Sequence, residues 1–211
     1  MKISKPKGEG WLGRYSAGTE KDNTFLGYQK KEYDIAISKT TNRRLALDIG
    51  ANLGIMSYRM VSDFKIVHAF EPLFYQHLKL NVPASNLEIH PYAVGDKETT
   101  LTMRIAEWNS GGSNVVKDKV FDSTRYKDVQ SVTIDSYDFR DVDLIKIDVE
   151  KYEYHVLVGA RRTIENNKPT ILIEIDQVNQ TTVFEYLTNL NYTIEKIVGK
   201  DYVCTSNLLS L

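Results

Sequence analysis

Short apolar runs rich in β-branched residues alternate along this chain with segments whose apolar residues recur every three or four positions. Five runs predict strands, at Leu45–Ile49, Ile66–Phe70, Leu87–Val94, Leu144–Ile147 and Ile171–Ile175. Helical spacing occurs in four segments, at residues 55–60, 74–82, 156–164 and 183–190. Strands that alternate with helices predict βαβ units, and therefore an α/β fold with a doubly wound, mostly parallel sheet.

Two regions interrupt this alternation. Residues 1 to about 30 have no clear period but contain the aromatic residues Trp11, Tyr15, Phe25 and Tyr28. We predict an N-terminal extension over residues 1–30, which covers the site or contacts a second subunit, and a single domain over residues 31–211. Residues 97–141 alternate like strands around the loop NSGGSN, which predicts an extra β insertion before the fourth parallel strand.

Composition narrows the classes of partner. The chain has 211 residues and a formal net charge of -1, so general electrostatic attraction to nucleic acid or to an anionic membrane is not expected. It has one cysteine, Cys204, which suits a reducing compartment. The N-terminus carries no apolar signal region, and no apolar run approaches the length of a membrane span. We therefore expect a cytoplasmic protein.

The segment LDIGANLG places Asp48 at the end of a strand and follows it with Gly50 and Gly54. Such a turn either brings a ligand close to the backbone or packs against a neighbouring helix. The next predicted strand ends in HAFEP, which places Glu71 where a carboxylate can accept hydrogen bonds from a ribose diol. The glycine turn and the acidic strand end together favour nucleoside binding.

The glycine spacing discriminates between nucleoside ligands. A pyrophosphate-binding turn has the pattern G-x-G-x-x-G, but here Asn52 and Ile55 take the second and third glycine positions. An acidic residue before the turn also suits an ammonium better than a phosphate. The ligand that fits has a ribose, an adenine and an amino-acid tail, which is S-adenosylmethionine.

With these motifs in view, the chain resembles the FkbM family of class I methyltransferases from about Leu45 to Ile175. The resemblance rests on an ordered set of motifs: LDIGANLG, HAFEP, PYAVGD, the GGS loop, VTIDS, DLIKIDVE and PTILIEI. It implies a seven-stranded sheet with an antiparallel last strand, in which NYTIEKIVG and DYVCTS form the closing pair. The chain departs from the family at Lys151, where the family pattern D-V-E-G has a glycine.

The resemblance also implies residues that bind the cofactor. It places Glu71 at the ribose and the segment Ala93, Val94 and Asp96 beside the adenine. The residues implied at the methionine end of the cofactor are Asp48, Gly50, Asn52 and Gly54.

Carboxylates after the fourth parallel strand suggest the chemistry. A hydroxyl that accepts a methyl group must lose its proton, and Asp148 and Glu150 are our candidates for the base or for acceptor binding. Together with Glu174 and Asp176 they could instead hold a divalent metal, which we do not favour. Lys146, within the same strand, fits a structural ion pair and a site role equally well.

Three histidines are weaker candidates for a functional site. His68 is interpreted as a satisfied histidine of the sheet, and His77 and His90 suggest no site.

The sequence therefore predicts an S-adenosylmethionine-dependent methyltransferase. The oxygen preference and the small-molecule or saccharide acceptor are implied by the resemblance, and a homo-oligomer stays open. The alternatives are a nicotinamide-dependent oxidoreductase, which the missing glycine pattern disfavours, and a catalytically inactive nucleoside-binding partner module.

Overall fold

A seven-stranded sheet lies at the centre of the protein, whose computed structural model describes residues 4–7, 27–106, 109–116 and 125–207. Its strands are β1 (Leu45–Ile49), β2 (Ile66–Phe70), β3 (Leu87–His90), β8 (Val142–Ile147), β9 (Thr170–Glu174), β10 (Tyr192–Val198) and β11 (Asp201–Ser206). They are arranged in the order β10-β11-β9-β8-β1-β2-β3. Trp11, Tyr15, Phe25 and Trp108 lie outside the described residues.

The strand directions confirm the predicted α/β sheet. β1, β2, β3, β8 and β9 are joined by parallel pairs, whereas β11 is antiparallel to both β9 and β10. Every residue of β1 and β8 is buried, which explains why these central strands read as almost continuous apolar runs. Because parallel strands end on the same side, the segments after β1, β2 and β8 meet at one edge of the sheet.

Helices cover both faces of the sheet. They are α1 (Lys30–Lys39), α2 (Ile55–Asp63), α3 (Tyr75–Asn81), α4 (Glu153–Gly159), α5 (Arg161–Asn167) and α6 (Gln180–Asn189). Tyr33 of α1 and Met60 of α2 pack with one face of the sheet, and Leu157 of α4 and Leu187 of α6 pack with the other. Within the described residues, no helix is both long and apolar enough to cross a bilayer.

Three differences from the sequence prediction concern more than the ends of an element. The run Leu87–Val94 is not one strand, because β3 ends before Pro91, which has no N–H to donate, and β4 (Ala93–Val94) joins another sheet. The helix predicted over residues 156–164 breaks at Ala160, whose φ of -111° and ψ of 9° leave the helical region. Helix α1 was not predicted, because it buries only Tyr33 and Ala36 and has a weak apolar pattern.

A second sheet of four strands lies between β3 and β8 along the chain. It contains β4, β5 (Thr99–Ile105), β6 (Asn114–Val115) and β7 (Arg125–Val132), in the order β4-β7-β5-β6. β5 pairs with β7 antiparallel, and a 3₁₀ helix at Ser110–Gly112 lies in the loop between β5 and β6. This places the NSGGSN loop near the edge where β1 ends.

A buried ion pair joins the two central strands. Asp48 of β1 and Lys146 of β8 are partners in the strand register, and both side chains are almost completely buried. The Lys146 ammonium lies 3.4 Å from Asp48 and 3.5 Å from Asp148, and it donates a 3.0 Å hydrogen bond to the Gly50 carbonyl. Ser57 donates a 2.6 Å hydrogen bond to the other oxygen of Asp48. Lys146 thus connects both strands with the turn that follows β1.

The first prediction concerns this lysine. Lys146→Met should lower the free energy of unfolding by about 3–5 kcal/mol, because it leaves the Asp48 carboxylate buried without its cation. The matched control is Lys39→Met, since Lys39 pairs with Glu195 on the surface and should contribute less than about 1 kcal/mol. Denaturant unfolding measures both variants. An equal loss in the two would contradict a structural role for the buried pair.

Candidate active site

The turn after β1 contains three residues in the left-handed backbone region. Gly50, Asn52 and Gly54 have φ values of 77°, 51° and 89°. A Cβ on Gly50 would lie 1.9 Å from the Asp148 carbonyl oxygen, and one on Gly54 would lie 2.8 Å from Cγ2 of Val82. Both glycines are therefore required by close packing against neighbouring elements, whether or not a ligand is bound.

Glu71 is held beside this turn by backbone amides. The amide of Asn52 donates to Oε2 at 2.9 Å, and the amides of Leu73 and Phe74 donate to Oε1 at 2.7 and 2.9 Å. Burial raises the pKa of Glu71, although these hydrogen bonds and Lys146 oppose the rise. A carboxylate offers about four acceptor positions, so Oε2 retains one for a ligand.

Glu71 lies in the wall of a cleft with a cavity volume of about 70 Å³, which we call the first cleft. Of the residues that the sequence analysis assigned to the cofactor, five line the first cleft: Gly50, Asn52, Glu71, Ala93 and Val94.

The other three assigned residues lie outside the first cleft. Asp48 is buried against Lys146 and Ser57, behind the cleft wall. Gly54 packs against α3, and Asp96 lies on the far side of Gly95, 3.4 Å from His155. Their sequence-based roles in binding stay predictions, and the structure places them as supports of the surrounding backbone.

Sequence reasoning missed the apolar walls of the first cleft. They come from five segments that are distant in the sequence and include Phe70, Phe74, Tyr92, Met103, Val115 and Tyr152. Ser110, Gly111 and Ser113 of the NSGGSN loop close one side. Only the loop had a sequence signal, because its GGS motif is part of the family resemblance.

The polar groups of the first cleft are acidic or neutral. Its charged lining residues, within the described part of the chain, are Glu71, Asp148 and Glu150, and no lysine, arginine or histidine lines it. Oδ1 of Asn52 is buried and has no hydrogen-bond partner among the described residues. The first cleft can therefore accept hydrogen bonds from a ligand but offers no cation to a pyrophosphate.

A second, more open cleft adjoins the first. It is lined on one side by residues 27–29 and Glu32, and on the other by Lys146, Glu174 and Asp201. The two clefts share Gly50, Asn52, Gly111, Asp148 and Glu150. Asp148 and Glu150 therefore lie at the junction, where they can contact a ligand in either cleft.

Several carboxyl groups at this junction retain protons near neutral pH. Burial, followed by the charge of Asp148, raises the pKa of Glu150 to about 7 and that of Glu174 to about 8. Burial and the nearby Glu32 raise the pKa of Asp201 to about 6. The ammonium of Lys200 opposes the rise in the pKa of Glu150.

The residue that departs from the family pattern keeps a glycine-like backbone. Lys151 has a φ of 71° and follows Glu150, whose φ is 43°. The Lys151 amide donates to Glu153 at 2.8 Å, and its carbonyl accepts a 2.8 Å hydrogen bond from Asn179. These bonds hold a conformation that a glycine would adopt without strain.

The structure does not gather the four carboxylates that we considered as metal ligands. Asp176 accepts a 2.8 Å hydrogen bond from Lys200, and Lys146 lies between Asp48 and Asp148. Across the described ranges, the carboxylates of Asp148, Glu150, Glu174 and Asp176 do not form a set of ligand atoms within 4.8 Å of one another.

The second prediction concerns the protonation of Glu174 and its effect on stability. Glu174 has a pKa of about 8 when folded and 4.5 ordinarily, so the folded state binds more protons between these values and loses stability as the pH rises through them. Glu174→Gln cannot ionise, so its free energy of unfolding should rise relative to the parent protein between pH 5 and 8. Denaturant titrations at several pH values measure this difference.

The control for this series is Glu185→Gln, since Glu185 is exposed on α6. Its difference from the parent protein should stay nearly constant with pH. If the Glu174→Gln difference also stays constant, Glu174 is already ionised in the folded protein at pH 5.

Solved structures share this fold. Methyltransferase FkbM from Methylobacillus flagellatus KT is similar with a TM-score of 0.55 and 20% identity, over 77% of this chain and 43% of that chain. A putative methyltransferase from Streptococcus mutans in complex with SAH has a TM-score of 0.52 and 10% identity, over 83% of this chain and 94% of that chain. Precorrin-6y C5,15-methyltransferase from Geobacter metallireducens GS-15 has a TM-score of 0.50 and 12% identity, over 87% and 90%.

These likenesses concern the fold. This chain spans less than half the length of the Methylobacillus protein, and no curated protein matches it. The family comparison is more specific, because the profile of the Methyltransferase FkbM domain matches residues 48–195. That match begins at Asp48, includes both clefts' shared carboxylates and covers most of the chain, so the chain belongs to the FkbM methyltransferase domain family.

Proposed function

We propose that this protein transfers a methyl group from S-adenosylmethionine to a hydroxyl of a small molecule or saccharide. The observation that carries the proposal is the junction of two clefts at Asp148 and Glu150. A cofactor in the first cleft and an acceptor in the second would meet there. Alignment of the acceptor oxygen with the methyl group is a large part of catalysis in such a displacement.

The first cleft suits this cofactor. Glu71 retains an acceptor position for a ribose diol, and the unpartnered Oδ1 of Asn52 can accept from the ammonium of the amino-acid tail. Phe70 and Tyr92 supply apolar surface for an adenine. The cofactor supplies a methyl group made electrophilic by its positive sulfur. The acidic lining of the cleft favours that charge over a pyrophosphate, which argues against a nicotinamide dinucleotide.

Electrostatics favour Glu150 as the group that accepts the hydroxyl proton. A general base is most effective when its pKa lies near the working pH, and the pKa of Glu150 is about 7. The Asp148 carboxylate instead pairs with the buried Lys146. We infer that Asp148 orients this lysine and the turn after β1, while Glu150 holds the proton.

The second cleft indicates the chemistry of the acceptor. Four of its lining carboxyl groups are Asp148, Glu150, Glu174 and Asp201. Carboxylates and carboxylic acids bind hydroxyl groups well, and ionised carboxylates repel phosphates. The excess of five carboxyl groups over two lysines, Lys31 and Lys146, supports an uncharged, hydroxyl-rich acceptor over a nucleic acid, whose backbone requires cations.

The N-terminal segment has a place in this proposal. Gly27, Tyr28 and Gln29 line the second cleft, and Gln29 donates a 3.4 Å hydrogen bond to Asp201 in the same lining. We infer that the extension covers the acceptor side. Its other aromatic residues lie outside the described part of the chain.

The third prediction tests the cofactor. Glu71→Gln should weaken S-adenosylhomocysteine binding by about 1–3 kcal/mol, because the ribose diol loses a charged acceptor. Calorimetry measures the affinity. The glutamine variant is preferable to alanine, since Glu71 also holds three backbone amides.

Glu185→Gln again serves as the exposed control and should bind like the parent protein. Thermal unfolding of the parent protein with S-adenosylhomocysteine or NAD then separates the two cofactor classes, because a ligand that binds only the folded state raises its stability. Stabilisation by NAD and not by S-adenosylhomocysteine would refute the proposed function.

The fourth prediction tests the base. Glu150→Gln should lower kcat by ~10²–10⁴-fold while it retains S-adenosylhomocysteine affinity, because the acceptor proton loses its destination. The parent rate should rise with pH around an apparent pKa near 7, as Glu150 ionises, and the variant should lack this rise. Transfer of a labelled methyl group to a panel of monosaccharides and polyols provides the assay.

The comparison variant is Asp148→Asn, because Asp148 is the other candidate for the general base. A larger loss of kcat in Asp148→Asn, with an unchanged pH profile in Glu150→Gln, would identify Asp148 as the base instead. A rise in KM alone in Glu150→Gln would assign Glu150 to acceptor binding.

A further inference from the structure

Two histidines and a glutamate converge on one face of the sheet and are not among the lining residues of either cleft. His68 lies in β2, and Glu88 and His90 lie in β3. In the parallel register His68 is the partner of Glu88, and Phe70 is the partner of His90, so all four side chains are on the same face. β3 is the edge strand of the sheet, which leaves one side of this group open.

The three polar side chains are close enough to share one ion. Nδ1 of His68 lies 2.9 Å from Nε2 of His90. The Glu88 carboxylate lies 3.7 Å from each ring nitrogen, through a different oxygen for each. In the described ranges, these are the residues whose candidate ligand atoms all lie within 4.8 Å of one another. Tetrahedral zinc with ~2.0–2.1 Å bonds separates its ligand atoms by roughly 3.3 Å, so shifts of about half an ångström would suffice.

Aromatic rings fix the positions of both imidazoles. Phe139 lies 4.6 Å from the His68 ring, and Phe70 stacks on the His90 ring at 4.4 Å between centroids. Tyr137 meets the His90 ring edge-on at 5.0 Å. The side chains of the histidines are only 12% and 9% exposed, whereas that of Glu88 is 65% exposed. The site thus has two fixed nitrogen ligands, one adjustable carboxylate and a solvent side for water.

The contact between the two rings depends on where their hydrogens lie, because Nδ1 of His68 and Nε2 of His90 face each other. Without an ion, one ring donates its N–H to the other. To bind an ion, the donor ring moves that hydrogen to its other nitrogen and both facing nitrogens become ligands. A metal ion therefore has to compete with the hydrogen bond between His68 and His90.

We propose that His68, Glu88 and His90 form a binding site for one divalent transition ion of the zinc class, with water as the remaining ligand. Two imidazoles and one carboxylate favour zinc and similar ions over magnesium or calcium, which prefer oxygen ligands alone. The ion would join β2 to the edge strand β3. Because Phe70 lines the first cleft and stacks on His90, it would also steady the wall of that cleft.

Zinc titration of the full chain tests this site. After chelator treatment and removal of any affinity tag, calorimetry should show one saturable equivalent of Zn²⁺, and excess Mg²⁺ should not displace it. Co²⁺ should give the visible absorption bands of a four-coordinate site. His68→Gln should weaken Zn²⁺ binding roughly 100-fold or more, since even the loss of an outer partner of a metal ligand costs about 10–100-fold.

Two further variants distinguish metal binding at this site from nonspecific binding elsewhere on the protein. Glu88→Gln changes an exposed side chain, so it should fold normally and still weaken Zn²⁺ binding about tenfold or more. The control is His77→Gln, because His77 contacts Ser4 and lies outside the cluster; it should bind like the parent protein. No saturable uptake, or uptake unchanged in both His68→Gln and Glu88→Gln, would overturn the proposal. These results do not depend on whether the first cleft binds S-adenosylmethionine.

Discussion

The candidate site depends on one buried ammonium group. Lys146 lies in the centre of the sheet, where an unpaired charge would be strongly unfavourable, and it contacts Asp48, Asp148 and the Gly50 carbonyl. Those three partners belong to adjacent strands and to the turn that forms the cleft wall. This interaction therefore helps to fix the positions of the two clefts relative to each other. Burial lowers the pKa of Lys146, but the two carboxylates outweigh this effect and raise it, so the group remains charged.

Close backbone packing acts beside this charge interaction. Gly50 approaches the Asp148 carbonyl so closely that no side chain fits between them, and Gly159 approaches the Gly95 carbonyl in the same way. The first contact joins the turn after β1 to the segment that carries Asp148 and Glu150. The second joins α4 to the segment that carries Ala93 and Val94. Gly50, a residue assigned to the cofactor from the sequence, thus also determines how closely the elements around the first cleft can pack, and Gly159 does the same without such an assignment.

Much of the fold could be predicted from local sequence patterns, but much of the candidate site could not. The strands Leu45–Ile49 and Ile66–Phe70 were predicted with their observed bounds, because each is a short and mostly apolar run, buried throughout in β1 and for the larger part in β2. Glu71, Asn52 and Gly50 were found because strand ends and turns have local signatures.

The apolar walls had no such signature, since Tyr92, Met103 and Tyr152 come together only through tertiary packing. The raised pKa of Glu150 likewise depends on burial and on its distance from Asp148, and His68 and His90 meet only when β2 pairs with β3.

The placement of β11 between β9 and β10 has a consequence for biosynthesis. Asp201, which opens β11, lines the second cleft, so this cleft cannot be complete until β11 has been synthesised and has entered the sheet. Until then β9 has an open edge, whose unpaired backbone groups can pair with another chain.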